Sequence, residues 1–139
     1  MTRIMNSYIM STTMTAESSN SQSFRIDRHG DLAIIVPSPE VESMSESLIQ
    51  QAAQLVLAPL KDDPPGGLVI DLTNVDYFGS VFLSFLLRCY TPIKMHGSEM
   101  VLAGVSKRIR ELLRLTNLDT LWAIYDTRAE ALEALGGSD

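Results

Sequence analysis

Ser80 is the residue whose position most suggests chemistry. It follows Gly79 at the end of a loop and precedes the apolar start of a predicted helix at Val81 and Phe82. As a helix N-cap, its hydroxyl would accept a hydrogen bond from a backbone amide one turn on, contributing about 1 kcal/mol. The position also suits a phosphate, because helix N-terminal amides are unpaired and the helix dipole is positive there. Ser80 is therefore interpreted either as a structural cap or as a phosphorylation site.

Two carboxylates, Asp71 and Asp76, bracket the loop that leads to Ser80. This loop follows a predicted strand, and α/β sheets place ligands at the carboxyl ends of their strands. The simpler interpretation is that Asp76 is a turn residue and that Asp71 ends the strand and hydrogen-bonds the loop backbone. We favour this structural interpretation over a ligand site.

Sequence patterns for enzymatic or metal chemistry are scarce. The chain has no glycine-rich phosphate loop and no Gly-x-Ser-x-Gly elbow, and a nucleophile at Ser80 would need a neighbouring base. His29 and His96 lie far apart and each precedes a glycine, so neither is predicted to bind a metal. The single cysteine, Cys89, excludes an intramolecular disulfide and a Cys-based zinc site. We expect no catalytic residue, no metal and no cofactor, and predict that the protein is not an enzyme.

Composition limits the class of partner. The chain has 139 residues, of which 45% are hydrophobic, as expected for one globular domain. Its net charge of −6, from 17 acidic and 11 basic residues, argues against nucleic acid as a partner, since a phosphate backbone requires a clustered basic surface. No apolar stretch reaches the roughly 18–20 residues that a membrane span requires.

The N-terminal stretch differs from the rest of the chain. It is rich in Ser, Thr, Asn and Met, which predicts a disordered tail at 1–22 followed by one domain at 23–136. Met5, Met10 and Met14 leave the true start codon open. The stretch lacks a continuous apolar segment of the length that a secretory signal needs. Together with the single cysteine, this predicts a cytoplasmic protein.

Hydropathy patterning beyond this tail predicts strands and helices in alternation. Strands are predicted at Phe24–Arg28, Leu32–Val36, Leu68–Leu72, Glu99–Val105 and Leu121–Tyr125. A helix from Ser43 to about Leu57 has an apolar stripe at Met44, Leu48, Ala52 and Leu55. A second helix begins near Ser80, and its core stripe is Phe82, Phe85, Leu86, Cys89 and Ile93.

The ends of the later helices are also signalled. Gly97 lies just past the end of the second helix, which Pro92 should kink or stop early. Ser106 is a predicted N-cap for the third helix. Thr127 and Glu130 form a capping box for a last helix that ends at Gly136 and Gly137.

This order of elements predicts a single-domain α/β fold. Two strands and a helix are followed by three strand–helix units, β-β-α-β-α-β-α-β-α. Short loops between alternating strands and helices imply parallel pairing with right-handed crossovers. We therefore expect a mixed, mostly parallel sheet of about five strands with helices packed on it.

Three blocks of sequence resemble a known family. They are the segment from Leu68 to Ser80 with its apolar helix, the segment from His96 to Ser106, and the segment from Arg110 to Leu121. In this order they look like the core of the STAS domain, the fold of bacterial anti-sigma factor antagonists. The resemblance covers about Phe24 to Leu135 and rests on several adjacent blocks, so it is more specific than any single motif.

The resemblance implies a switch between partners. In the typical member, an unphosphorylated serine at this loop–helix junction lets the domain bind an anti-sigma factor with serine kinase activity. That kinase then phosphorylates the serine with ATP, and a metal-dependent phosphatase reverses the modification. The phosphorylated position corresponds to Ser80. The family usually reads Asp-Ser-Ser/Thr-Gly here, whereas this chain reads Gly79-Ser80-Val81-Phe82.

The partner-binding surface implied by the resemblance runs along the loop and the start of the helix. Its residues are Asp76, Tyr77, Phe78, Gly79, Ser80, Val81, Phe82 and Phe85. The alternative function is a constitutive STAS scaffold or a small-ligand sensor without a phospho-switch, which exposed side chains at Val81 and Phe82 would favour. The oligomeric state stays open, since an edge strand near Phe24 is able to pair with another chain.

Overall fold

The structure, a computed structural model, describes residues 24–136. Its strands are β1 (Phe24–His29), β2 (Leu32–Pro37), β3 (Gly67–Asp71), β4 (Glu99–Ala103) and β5 (Ile124–Tyr125). Its α-helices are α1 (Glu46–Asp62), α2 (Ser80–Met95), α3 (Lys107–Leu115) and α4 (Arg128–Ala134). Short 3₁₀ helices lie at Pro39–Glu42 and Leu118–Thr120. The predictions for residues 1–22 and for Gly137 fall outside the described residues.

The strands form one sheet in the order β1-β2-β3-β4-β5. β1 and β2 make an antiparallel hairpin, in which Phe24 lies opposite Pro37 and His29 opposite Leu32. Each of the remaining neighbours pairs in parallel, as connections through helices require. The predicted fold class, a mixed and mostly parallel five-stranded sheet with helices packed on it, is confirmed.

Helices cover both faces of the sheet. The larger core buries apolar residues of α1, α2 and α3 against one face, and the smaller core packs Ala131 and Leu132 of α4 against the other. The central strand β3 is buried along its whole length, which explains its continuous apolar sequence. The loops at the carboxyl ends of β3 and β4 therefore lie at one end of a sheet that has helices packed on both faces.

Helix α1 differs from its predicted register. Ser45 caps it by accepting a hydrogen bond from the Leu48 amide at 3.3 Å, and the helix continues through Pro59 to Asp62. Its buried residues are Ile49, Ala52, Ala53, Val56, Leu57 and Leu60. The predicted stripe was wrong at Leu48 and Leu55, which are 52% and 48% exposed. Both the predicted and the observed stripe have helical spacing. The observed stripe, which extends to Leu60, is the one that packs in the core.

Helix α2 keeps the predicted core stripe but not the predicted early stop. Its buried residues are Phe82, Phe85, Leu86, Cys89 and Ile93, as the spacing indicates. Pro92 has no N–H to donate to the carbonyl of Arg88, yet the helix runs on to Met95. Gly97 then adopts φ 85, the left-handed conformation that commonly follows a helix and favours glycine.

The caps of α3 and α4 match their predictions. The Ser106 hydroxyl accepts a hydrogen bond from the Ile109 amide at 3.1 Å, and the Thr127 hydroxyl accepts one from the Glu130 amide at 3.1 Å. The Glu130 carboxylate in turn accepts from the Asp126 amide at 3.2 Å. These side-chain bonds satisfy amides that have no partner within the helix.

The last strand is shorter than predicted. Only Ile124 and Tyr125 pair with β4, because the Leu121 and Trp122 amides bond back to the Leu118 carbonyl, at 3.0 and 3.4 Å, and extend the turn of Leu118–Thr120. Trp122 follows that turn and is buried in the larger core at 2% exposure, edge-on to Tyr90 with ring centroids 5.9 Å apart. Its indole nitrogen has no hydrogen-bond partner among residues 24–136.

Candidate functional site

Ser80 is the first residue of α2 and not its N-cap. Gly79 occupies the cap position with an extended backbone, and its carbonyl accepts the first helical bond, from the Leu83 amide at 3.1 Å. The predicted capping role of Ser80 was therefore wrong by one position, because glycine is also favoured at the cap. The Ser80 side chain is exposed, and no hydrogen bond involves its hydroxyl within residues 24–136. The hydroxyl is consequently open to a reagent from solvent.

Asp71 anchors the start of the loop that leads to Ser80. One carboxylate oxygen accepts hydrogen bonds from the Thr73 amide at 3.1 Å and the Thr73 hydroxyl at 2.6 Å. The other oxygen accepts from Arg128 Nε at 3.0 Å. The predicted role of Asp71, a strand-end residue that bonds the loop backbone, is confirmed. Burial alone would raise the pKa of Asp71, but the Thr73 bonds and the Arg128 guanidinium together lower the pKa below its ordinary value.

Arg128 joins three elements at this edge of the sheet. Besides Asp71, its guanidinium contacts Asp27 of β1, with Nη1 3.5 Å from the carboxylate. Asp27 also pairs with Arg25 at 3.2 Å. The first turn of α4 is thus tied to β1 and to the end of β3. Sequence reasoning missed this contact, since Arg128 and Asp71 are 57 residues apart.

Asp76 anchors the other end of the loop. Its amide donates to the Glu42 carboxylate at 2.9 Å, and its carbonyl accepts from the Ser106 hydroxyl at 2.6 Å. Its own carboxylate pairs with Arg108 at 2.9 Å. Asp76 is therefore more than the predicted turn residue, because it ties the loop to the start of α3 and to the first 3₁₀ helix.

Three of the predicted partner-binding residues are buried. Phe78, Phe82 and Phe85 are each 1% exposed and form an aromatic cluster with Phe24. Phe82 lies at its centre, with ring centroids 4.9 Å from Phe78, 5.3 Å from Phe85 and 6.2 Å from Phe24. The assignment of these three to a docking surface is corrected, because their apolar area is removed from water by the fold itself.

The accessible part of the predicted surface is smaller, and its Tyr77 contacts α3. Asp76, Tyr77, Gly79 and Ser80 are exposed, and Val81 is half-buried. Tyr77 is 38% exposed, and the Arg108 guanidinium lies 4.5 Å from its ring centroid. This cation–π contact favours the observed orientation of the phenol ring.

Tyr77 forms one wall of an open groove against α3. We name this the Tyr77 groove; it is lined by Tyr77, Lys107, Arg108, Glu111, Leu112 and Leu115 and has a volume of about 440 Å³. Leu115 is 66% exposed at its far end. The predicted surface did not include any residue of α3. Leu115, an apolar residue at the end of a charged helix, was the signal in the sequence for them.

A different groove includes Ser80 in its lining. We name it the α1–α2 cleft; it has a volume of about 310 Å³ and is lined by Glu46, Ile49, Gln50 and Ala53 of α1 and by Ser80, Val81, Ser84, Phe85 and Arg88 of α2. Ser80 thus lines the α1–α2 cleft and is three residues from Tyr77, which lines the other groove. The Tyr77 groove is largely apolar, and the α1–α2 cleft mixes polar, charged and apolar side chains.

The described residues place no hydrogen-bonded base beside Ser80 and no cluster of metal ligands. Within residues 24–136, its hydroxyl hydrogen-bonds no histidine, lysine or carboxylate, and a serine nucleophile requires such a base. The same part of the chain contains no group of three or more His, Cys, Asp or Glu side chains placed to hold a metal ion. Burial raises the pKa of the Cys89 thiol, which makes it a poor nucleophile. No helix in the described part is long and apolar enough to cross a membrane.

Known proteins share this sequence pattern and this fold. The sequence profile of the STAS domain matches residues 38–131. A Thermotoga neapolitana protein, described by homology as an anti-sigma factor antagonist, is 25% identical over 107 residues, which cover 77% of this chain and 92% of the relative. The anti-sigma-B factor antagonist of Staphylococcus aureus is 28% identical over 71 residues, 51% of this chain and 66% of that protein. The solved structure of a STAS domain protein from Planctomyces limnophilus superposes with a TM-score of 0.73 at 30% identity, covering 82% of this chain and 98% of that one.

Proposed function

The chain belongs to the STAS domain family, and from this premise we propose that it is an anti-sigma factor antagonist switched by phosphorylation of Ser80. Its partner is an anti-sigma factor with serine kinase activity, and a phosphatase reverses the modification. The kinase uses ATP, which places the reaction in the cytoplasm. In this scheme the chain is a binding partner and a substrate, and the kinase supplies the catalysis.

The observation that carries the proposal is the exposed, unbonded hydroxyl of Ser80 at the first position of α2. In the transfer, Ser80 Oγ forms a bond to the γ-phosphorus of ATP, the bond from that phosphorus to ADP breaks, and the hydroxyl proton passes to a base of the kinase. The product carries about −1.5 to −2 charge beside the positive end of the helix dipole. The fold tolerates this charge, and the surface presented to the partner changes.

Phosphorylation and its effect on binding are both testable at Ser80. Incubated with ATP and the kinase-type anti-sigma factor of the same organism, the wild type is expected to gain one phosphate on Ser80, detected by mass spectrometry, and Ser80→Ala none. Ser80→Asp should bind that kinase at least about tenfold more weakly than the wild type, equivalent to about 1.4 kcal/mol. Calorimetric titration measures the affinity.

Gln54 provides the charge control. It is exposed on α1 and lines neither groove, so Gln54→Glu adds a negative charge away from Ser80. This variant should bind the kinase like the wild type. An unmodified Ser80, together with undiminished binding by Ser80→Asp, would rule out the switch and leave the constitutive scaffold or sensor as the function.

One observation favours that second function. The Tyr77 groove is apolar and does not include Ser80, so a partner docked there need not respond to phosphorylation. The buried position of Phe82 removes the hydrophobic patch that the sequence suggested for constitutive docking. The Tyr77 groove takes its place as the surface for such a partner.

Tyr77→Ala tests the groove in either case. Tyrosine and arginine are enriched among the residues that contribute most to binding at interfaces, so we expect the affinity for the kinase to fall about 10- to 100-fold. Leu55→Ala removes a comparably exposed apolar side chain from α1, away from both grooves, and should leave the affinity unchanged. Equal affinities of Tyr77→Ala and the wild type would show that the partner does not use this groove.

A further inference from the structure

Arg88 stands apart from the other arginines of the described chain. Within residues 24–136, every other arginine lies within ion-pair distance of a carboxylate: Arg25, Arg28, Arg108, Arg110, Arg114 and Arg128. Arg88 makes no hydrogen bond or ion pair in the same part of the chain, and its side chain is exposed. An arginine is a strong ligand for carboxylate and phosphate groups. Its charge is therefore available to an external group.

Arg88 lines the α1–α2 cleft together with Ser80. Helices α1 and α2 each connect two parallel strands and pack on the same face of the sheet. Both helices therefore begin at the carboxyl ends of the strands. Their first residues, Glu46 and Ser80, lie at this end of the cleft, which we call its mouth. Arg88 is eight residues after Ser80, about 12 Å further along the helix. Long side chains on a helix lean toward its N-terminus, which directs the Arg88 guanidinium toward Ser84 and the mouth.

The lining of the cleft carries one negative and one positive side chain, Glu46 and Arg88. Glu46 holds a negative charge at the mouth, where its carboxylate accepts a hydrogen bond from Gln50 at 3.3 Å. Arg88 holds a positive charge about two turns further along α2, and apolar side chains such as Ile49 and Phe85 form part of the lining. A volume of about 310 Å³ suits one or two side chains of a partner rather than a large ligand.

We propose that the α1–α2 cleft receives an acidic segment of the kinase-type anti-sigma factor, whose carboxylate pairs with Arg88. This inference rests on the proposed function and specifies how the partner recognises the surface beside Ser80. It also accounts for the direction of the switch. A phosphate on Ser80 joins Glu46 at the mouth, and the two negative charges oppose entry of an acidic segment.

Charge removal at Arg88 tests the proposal. In calorimetric titration with the kinase-type anti-sigma factor, Arg88→Gln is expected to lower the affinity at least tenfold at about 50 mM salt. Arg88→Glu should lower it further, and Arg88→Lys should retain part of it. The difference between Arg88→Gln and the wild type should shrink as salt is raised, because exposed charge pairs are screened. Thermal unfolding of all variants should match the wild type, since Arg88 is exposed and makes no hydrogen bond or ion pair within residues 24–136.

Lys94→Gln is the matched control. It removes one positive charge from an exposed position of the same helix, outside the cleft. Loss of affinity in Arg88→Gln with none in Lys94→Gln supports the proposal. Equal losses in both variants would indicate a general electrostatic effect and overturn it, as would wild-type affinity of Arg88→Gln.

The same titration separates this proposal from the function on which it rests. If the wild type binds the kinase and Arg88→Gln binds equally well, the cleft assignment fails and the antagonist function stands. If the wild type does not bind the kinase, both fail. Reversing acidic residues of the partner to lysine, one at a time, should identify one change that restores binding to Arg88→Glu, and restoration by none of them would contradict the paired-charge arrangement.

Discussion

Phe82→Ala is expected to lower the free energy of unfolding by about 3–5 kcal/mol, the usual cost of truncating a buried phenylalanine. Phe82 lies at the centre of the aromatic cluster with Phe24, Phe78 and Phe85. Its removal leaves a cavity, because the structure around a truncated core side chain relaxes only in part. Because a domain of this size is stabilised by about 5–15 kcal/mol in total, the variant should be partly unfolded well below the melting temperature of the wild type.

Chemical denaturation measures this prediction directly. Phe82→Leu, which fills most of the same volume, should lose markedly less stability than the alanine variant. Tyr77→Ala provides the surface control, since Tyr77 lies in the neighbouring loop but remains partly exposed. A loss of less than about 1 kcal/mol in Phe82→Ala would mean that Phe82 is not the centre of the core at this end of the molecule.

Arg128→Met should lower the free energy of unfolding by about 2–3 kcal/mol at neutral pH. The substitution leaves the carboxylate of Asp71 buried without its cationic partner, and an unpaired buried charge is strongly destabilising. Arg128 is itself partly exposed, so the expected loss is below that of a fully buried pair. The Thr73 bonds to Asp71 remain and retain part of the loop anchor.

The loss at Arg128 should depend on pH in a defined direction. The folded-state pKa of Asp71 is lowered, so the ionised carboxylate stabilises the fold above its unfolded pKa of about 3.9, and this contribution disappears as the pH falls through the folded-state value. The gap between Arg128→Met and the wild type should therefore be largest near pH 7 and shrink below about pH 4. Denaturation curves across that range measure it.

Arg110→Met is the control for this pair. Arg110 lies 3.8 Å from Asp126 in a solvent-exposed ion pair, and such pairs contribute about 0–1 kcal/mol. This variant should lose little stability at any pH. A gap between Arg128→Met and the wild type that does not change between pH 7 and pH 3 would contradict the assigned role of the Asp71 carboxylate.

Local signals in the sequence predicted most of the fold. The caps at Ser106 and Thr127 and the core stripe of α2 depend on residues within a turn or two of one another, so spacing alone identifies them. The register of α1 depends instead on tertiary packing. Its exposed stripe at Leu48 and Leu55 has the same helical period as its buried one, and only contact with the sheet distinguishes the two.

The sequence predicted where Ser80 lies in the fold, but not which neighbouring side chains are exposed or what they contact. Ser80 was placed at the correct junction, although the cap is Gly79. The burial of Phe82 depends on Phe24, 58 residues earlier, and the anchoring of Asp71 depends on Arg128. That Arg88 has no ion pair within residues 24–136, unlike the other arginines there, is known only from the structure. None of these contacts has a local pattern that would reveal it.

Trp122 provides the protein with an internal optical reporter. It is the single tryptophan of the chain, and its indole is enclosed by the core and lies edge-on to Tyr90 of α2. An indole shielded from water fluoresces at shorter wavelength than one in water, so unfolding should shift the emission toward the red. Because both grooves lie apart from Trp122, a surface variant that binds weakly yet keeps the wild-type spectrum has lost recognition and not its fold.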